Sequence, residues 1–242
     1  MTAIALTIAG SDSGGGAGIQ ADLKTFSACG VYGASVLTAL TAQNTLGVTA
    51  IHDVPVYFIG AQMDAVFSDL DVDAVKIGML SQPAIIAAVA EGLTTHSPAH
   101  VVLDPVMVAE SGDPLLAEDA VAALIENLFP LAELITPNLH EAARLLDAPM
   151  AESRDDMEQQ ARQLLALGAR SVLIKGGHSA GSDAADCYLA GDEPAQWYSA
   201  PFINTKNTHG TGCSLSSAIT AHLARGAAMP QAIATAKEWL TR

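Results

Sequence analysis

The chain has 242 residues, of which half are hydrophobic and 15% charged, and its formal net charge is −15. Nucleic-acid binding needs clustered Lys and Arg, a bilayer span needs about 18 or more uncharged apolar residues in a row, and the sequence offers neither. An acidic protein that handles phosphate must therefore create positive potential locally, from helix N-termini, a few placed lysines and a divalent cation.

The opening MTAIALTIAG lacks a basic leader and reads as a strand, not a signal peptide. Strands are predicted at Ala3–Ala9, Ala34–Thr41, Ala74–Gly78, His100–Asp104, Glu133–Thr136 and Ser171–Lys175. Between them, apolar spacing near 3.6 predicts helices at Ile19–Ser27, Tyr57–Leu70, Pro83–Thr94, Ala117–Leu128 and Asp155–Leu167. Strands separated by helices imply crossovers and a mostly parallel sheet covered on both faces, an α/β fold. Ala185–Leu189 and Gln196–Ala200, split by a turn-like stretch, read as a hairpin at the sheet edge. Two helices close the chain, Cys213–Ala224 and Pro230–Leu240. No repeat, linker or composition shift divides the sequence, so residues 1–242 read as a single domain. Cys29, Cys187 and Cys213 are too few and too scattered for a disulfide framework or a zinc site, which points to a reducing, cytoplasmic setting.

In open parallel sheets, ligands bind beyond the C-terminal strand ends. There the sequence places Gly10-Ser11-Asp12, Gln43-Asn44, Gly78-Met79, Asp104 through Met107, Pro137 through Glu141, and Lys175-Gly176-Gly177. The loop Gly10–Gly18 lacks the Gly-Lys-Ser/Thr of a Walker A motif. It also lacks the acidic partner of a dinucleotide fingerprint, because Thr41, Gln43 and Asn44 stand near that position. It reads either as a tight turn or as a loop that lets backbone approach a flat ligand. The second loop, Asn207–Cys213, runs directly into a helix. Its Gly-x-Gly places unpaired amides at the positive end of the helix dipole, a nest for phosphate oxygens, although ordinary helix starts share such residues. Cys213 stands at that helix start, where the field is expected to lower its thiol pKa toward neutrality and supply a thiolate base. The same Cys could instead be a packing residue, as Cys29 and Cys187 are read to be.

Seven stretches run in order over nearly the whole chain: AGSDSGGGAGIQADLKTF at Ala9–Phe26, TAQNTLGV at Thr41–Val48, KIGML at Lys76–Leu80, VVLDPVM at Val101–Met107, LITPNLHEA at Leu134–Ala142, LIKGGH at Leu173–His178 and NTKNTHGTGCSLSSAI at Asn204–Ile219. Together they resemble the hydroxymethylpyrimidine/phosphomethylpyrimidine kinases of thiamine biosynthesis, within the ribokinase-like superfamily. The resemblance implies a three-layer fold, ATP as co-substrate, Mg2+ as cofactor, a possible monovalent cation and a homodimer. It implies that amides of Gly210, Thr211, Gly212 and Cys213 form an anion hole, with Cys213 as the base. Gln43 would read the aminopyrimidine edge, with Gly10, Asp22, Met79 and Val106 completing the pocket. Asn138 and Glu141 match the superfamily's magnesium motif, Asp104 is a second carboxylate, and Lys175 and Thr208 would meet ATP. Plainer roles stay open: a sheet-end cap for Gln43, a core residue for Met79 and a first-turn carboxylate for Glu141.

Two departures stand out: Gly14 where relatives usually carry Ser, and Glu110 where Lys is common. Relatives also usually continue into a glycine-rich tail beyond the point corresponding to Arg242. A pyridoxal-type kinase and a non-catalytic pyrimidine-binding regulator are the competing readings.

Overall fold

The computed structural model describes residues 2–108, 115–117, 119–177, 183–201 and 209–241. Thr208 and Glu110 lie outside the described residues. Nine strands form one sheet: β1 (Ile4–Asp12), β2 (Tyr32–Asn44), β3 (Gly47–Asp53), β4 (Ala74–Ile77), β5 (His100–Leu103), β6 (Leu134–Ile135), β7 (Ser171–Ile174), β8 (Asp183–Ala190) and β9 (Gln196–Pro201). Their order is β3-β2-β1-β4-β5-β6-β7-β8-β9. The run from β2 through β7 is parallel, while β3 at one edge and the β8–β9 hairpin at the other are antiparallel.

The helices are α1 (Gly18–Ala28), α2 (Val56–Phe67), α3 (Pro83–His96), α4 (Ala120–Leu128), α5 (Leu139–Leu146), α6 (Arg154–Ala166), α7 (Thr211–Ala224) and α8 (Met229–Leu240). Side chains of a strand alternate between faces, and the two faces feed separate cores. Leu6, Ile8, Val75, Ile77, Val101, Leu103, Ile135, Val172 and Ile174 pack under helices α2 to α6. Ala5, Ala74, Val102, Leu134 and Leu173 face α1, α7 and α8, where Phe26, Leu215, Ile219 and Ile233 cover them. Helices therefore cover both faces, and the architecture is the ribokinase-like three-layer α/β fold expected.

Two elements are absent from those read by periodicity. Strand β3 is mostly exposed, so it carries no apolar alternation to read. Helix α5 has only eight residues, too few for a rhythm to show, and it puts Glu141 in its first turn, as one reading of that residue had it.

Strand β1 has β2 on one side and β4 on the other. The order of connection reverses there, and such a switch point opens a crevice at the C-terminal strand ends. The face beneath α1 and α7 is unusual at this crevice. Its inward positions on β1 and β4 include Thr7 and Lys76, which stand opposite one another in register and are fully buried. Helix α7 meets them with Ser216, Ser217 and Thr220, all at 0% exposure. Small side chains let this helix lie close to the sheet, and its N-terminus ends at the crevice.

Candidate active site

Beyond β1 the first glycine loop is organised by one carboxylate. Asp12 accepts hydrogen bonds from the amides of Gly14 at 2.8 Å, Gly16 at 2.9 Å and Ala17 at 2.8 Å. Burial, the largest influence, acts to raise its pKa. His209 and the amides of Ala17, Gly14 and Gly16 outweigh burial, so the carboxyl is held below its ordinary value. The loop's amides are thus turned toward Asp12, and Lys24 Nζ donates to the Gly15 carbonyl at 2.7 Å. This is neither a phosphate cradle nor a plain turn.

The same carboxylate reaches the second loop, because His209 Nε2 lies 3.0 Å from Asp12 Oδ2. The two loops touch so closely that side chains are excluded from both. A Cβ on Gly210 would fall 1.9 Å from the Gly16 carbonyl oxygen, and one on Gly16 would fall 2.4 Å from the His209 ring. Gly210 also has φ +80°, a conformation that favours glycine, and it serves as the N-cap of α7. Gly210 has no side chain with which to cap the helix, and the amides of Gly212 and Cys213 have no acceptor among the described residues. They stand at the positive end of a 14-residue helix, as an anion hole requires.

The expected standing thiolate requires correction. Cys213 is partly exposed as a residue, but burial dominates its thiol and pushes it up to about 11. Lys76 and the amide of Gly18 act to lower it, while Asp22 and Asp104 act to raise it. Desolvation of the sulfur and two neighbouring carboxylates outweigh the helix field. The resting group is therefore a thiol. Its conjugate base, once formed, is a strong one.

Next to the helix start lies a carboxylate and lysine cluster drawn from three strand ends. Lys175 Nζ donates to Asp104 Oδ1 at 2.8 Å and lies 4.0 Å from Glu141 Oε2. It would be 3.3 Å from a Cβ on Gly212, which sets the ammonium beside the anion hole. Asp104 also accepts from Thr136 Oγ1 at 3.1 Å and from Ser216 Oγ of α7 at 3.2 Å. Asn138 and Glu141 form a capping box: Asn138 Oδ1 accepts from the Glu141 amide and Glu141 Oε2 from the Asn138 amide, each at 2.8 Å. The bland first-turn role of Glu141 is therefore present in full. Burial nevertheless pushes its carboxyl up to about 7, with Asp104 adding to the rise and Lys175 opposing it. Lys175 is itself held charged, its pKa raised by Asp104 and Glu141 in spite of burial. Its charge is committed to the nearer carboxylate, Asp104, which leaves Glu141 undercompensated.

Among the described residues, no group of three or more His, Cys, Asp or Glu could hold a metal ion unaided. A magnesium ion beside a triphosphate needs no such cage, since it takes one or two carboxylates, water and phosphate oxygens. Asp104 and the undercompensated Glu141, on either side of one lysine, suit that donor set.

Across the crevice, Gly10 and Met79 meet at the ends of β1 and β4. A Cβ on Gly10 would stand 2.8 Å from Met79 Sδ, so a side chain here would have to move the thioether. Gln43, near the end of β2, has its backbone fixed by Ser13, which donates to the Gln43 carbonyl at 2.6 Å and accepts from its amide at 2.8 Å. Gln43 Oε1 accepts from Thr41 Oγ1 at 3.1 Å, while Nε2 has no partner among the described residues. Val106 sits in a tight turn after β5, its amide donating to the Asp104 carbonyl at 2.8 Å.

Asp22 is the residue whose expected role the structure changes. Its carboxylate is fully buried and accepts from Thr7 Oγ1 at 2.6 Å, Ser217 Oγ at 2.7 Å and Lys76 Nζ at 2.9 Å through both oxygens. It lies beneath the pocket and does not line it. Lys76, Asp12 and His209 were given no role of their own in the sequence reading. The available signal for Lys76 was a lone lysine inside an apolar four-residue strand.

A doubly covered parallel sheet with a switch point, a glycine-capped helix start and a carboxylate and lysine cluster at that edge fits a ribokinase-like phosphotransferase. The phosphomethylpyrimidine kinase family matches residues 12–242, and the chain belongs to it. A hydroxymethylpyrimidine/phosphomethylpyrimidine kinase of Rhizobium meliloti is 59% identical over 240 residues, covering 99% of this chain and 90% of that protein. The protein of the same description from Escherichia coli is 54% identical, covering 98% and 89%. The crystal structure of phosphomethylpyrimidine kinase from Clostridium difficile superposes with a TM-score of 0.87 at 46% identity, covering 98% of this chain and 97% of that one. An ADP complex of Bacillus subtilis pyridoxal kinase gives 0.91 at 41% identity, covering 98% and 90%.

Asp12→Asn should destabilise the protein by roughly 1.5–3 kcal/mol at neutral pH, the worth of hydrogen bonds to a charged group. Because the folded pKa is depressed, the wild-type advantage should be present above the unfolded value and fade as pH falls through the folded one. Urea denaturation of both proteins across that range measures it. A constant difference at all pH values would contradict the assignment.

Proposed function

We propose that this chain transfers the γ-phosphoryl group of ATP to the hydroxymethyl oxygen of 4-amino-5-hydroxymethyl-2-methylpyrimidine. It then phosphorylates the resulting monophosphate to the diphosphate, for thiamine biosynthesis. The observation that carries the reading is the meeting of two half-sites at one switch point in a member of this family. Gly10 against Met79, and Gln43 near the end of the neighbouring strand, are residues suited to a flat amino-heterocycle, and the α7 start with Lys175 beside it is suited to phosphate.

In the first step the alcohol oxygen bonds to the γ-phosphorus while the bridging bond to ADP breaks, and ADP leaves with the electron pair. Cys213 takes part as the thiolate: its thiol proton is first lost to solvent, and Sγ then accepts the alcohol proton. The amides of Gly210 to Cys213 receive charge developing on the phosphoryl oxygens, and Lys175 neutralises part of the triphosphate. Thr208 is expected at the nucleotide as well. Asn138 positions Glu141 through the capping box, and Asp104 and Glu141 would hold Mg2+, which neutralises phosphate charge when bound. Val106 and Met79 contribute apolar surface, and Gln43 Nε2 is the donor available to a ring nitrogen.

The competing substrate within the fold is a pyridoxal-type alcohol, as in the Bacillus subtilis neighbour. Gln43 and Met79 favour the pyrimidine. The test is steady-state ADP release with ATP and magnesium on each alcohol, followed by identification of the phosphorylated product. A clear preference for pyridoxal would reverse the assignment, and ADP release independent of either alcohol would point to a non-catalytic binder. Cys213→Ala should lower turnover by about 10²–10⁴-fold with ATP affinity little changed, and an unchanged rate would remove Cys213 from the mechanism.

Glu141→Gln and Asp104→Asn should each raise the magnesium concentration at half-maximal rate by roughly 10–100-fold, the usual scale for ligand-shell changes. Titration of the rate with Mg2+ reads this directly, and an unshifted curve would place the ion elsewhere.

The proposal includes a homodimer formed along the β3 edge. Leu46 is 87% exposed, Tyr57 78% and Phe58 50%, and all three lie on or beside the segment from β3 to α2. Sedimentation velocity should show a dimer, and Tyr57→Glu should weaken it; a monomeric wild-type profile would remove this part.

A further inference from the structure

Lys76 is a fully buried cation in a strongly acidic protein, and the reaction outlined above does not use it. Its ammonium binds both oxygens of Asp22 at 2.9 Å. Nζ packs against Gly78, where a Cβ would fall 2.7 Å from it. A buried ion pair is poor evidence of a stabilising device, since apolar residues of similar size often serve as well. A different use is suggested by where the pair sits.

Helices α1 and α7 lie side by side and touch in matched steps. The amide of Gly18 meets the sulfur of Cys213, and four residues further along both helices Asp22 meets Ser217 Oγ at 2.7 Å. Residues four apart on a helix are stacked about one turn, roughly 5–6 Å, apart on one face. Lys76, bound to Asp22 from the sheet side, therefore lies about one helical turn beneath the Cys213 sulfur. Thr7 Oγ1, donating to Asp22 at 2.6 Å, and Ser217 Oγ hold the carboxylate in place from the sheet and from α7.

We infer that Lys76 is a positioning residue for the reaction: it is the buried counter-ion that stabilises the thiolate form of Cys213, with Asp22 fixing its ammonium under the sulfur. A thiol raised by burial needs a nearby cation if it is to ionise inside the site. The charged groups facing Cys213 are Lys76 from β4, Asp22 from α1, Asp104 from the end of β5 and Lys175 from the end of β7. Lys175 is 2.8 Å from Asp104, so its charge is directed there. Lys76 is the largest of the influences that favour the thiolate.

The inference rests on Cys213 acting as the base, but its test reads the thiol itself. The rate of iodoacetamide alkylation at Cys213 is followed by mass spectrometry of its peptide at several alkaline pH values, using the full-length protein. Cys213→Ser provides the blank for Cys29 and Cys187. Lys76→Met should slow alkylation about tenfold or more at each pH, equivalent to a rise of about one pKa unit or more. Asp22→Asn, which leaves the ammonium unopposed, should speed it. The double variant Lys76→Met/Asp22→Asn leaves no buried charge unpaired and should alkylate more slowly than wild type; it decides the matter if Lys76→Met does not fold. A purely structural role would loosen the site and speed alkylation in all three variants, and that outcome, or wild-type rates throughout, overturns the inference. If instead Cys213 is not the base, Cys213→Ala keeps its turnover while the alkylation rates still shift, which separates the two failures.

Discussion

One carboxylate, Asp22, draws together four elements of this fold. It belongs to α1, accepts from Thr7 on β1 and Ser217 on α7, and binds the ammonium of Lys76 on β4. Each donor is buried, and an unpaired buried charge costs several kcal/mol, so these partners must stay together for the fold to be stable. The consequence is geometric. The N-terminal ends of α1 and α7 are set together above the sheet, at the switch point between β1 and β4. Everything else in the site is measured from that datum. Gly10 against Met79, the α7 start and the Lys175 cluster all stand at that edge of the sheet.

A second carboxylate, Asp12, does for the loops what Asp22 does for the helices. By gathering three amides of its own loop and the ring of His209, it joins residues separated by nearly the whole chain. The two carboxylates also show how a protein with a charge of −15 makes room for a triphosphate. Its buried acids are each given internal donors, and the amides of Gly212 and Cys213 at the start of α7 remain directed outward.

Much of the architecture was legible in the sequence because buried parallel strands are apolar on both faces, and the helices between them keep a 3.6-residue rhythm. The strands ending in Ile77, Leu103 and Ile174 lie within a residue or two of their expected limits. Strand β3 was not legible, because its side chains face solvent and β2 alone dictates its pairing. In the site, the positions of Gly10, Gln43, Asp104, Glu141, Lys175 and Cys213 at strand ends and a helix start followed from pattern. The state of the Cys213 thiol did not. A helix start alone argues for a lowered pKa, and only the three-dimensional burial of the sulfur beside Asp22 and Asp104 shows that the opposite effect wins. Asp22 was likewise legible as important but not as hidden. Its donors come from positions 7, 76 and 217, and no local reading of sequence brings those together.

The glycine loop closed around Asp12 has a thermodynamic consequence. A loop with five glycines would ordinarily lose much conformational entropy when a ligand orders it. Here an internal anion fills the ring of amides, so the chain meets that cost on folding and not on binding. The loop is preorganised, so little ordering free energy is left for any ligand beside it to supply.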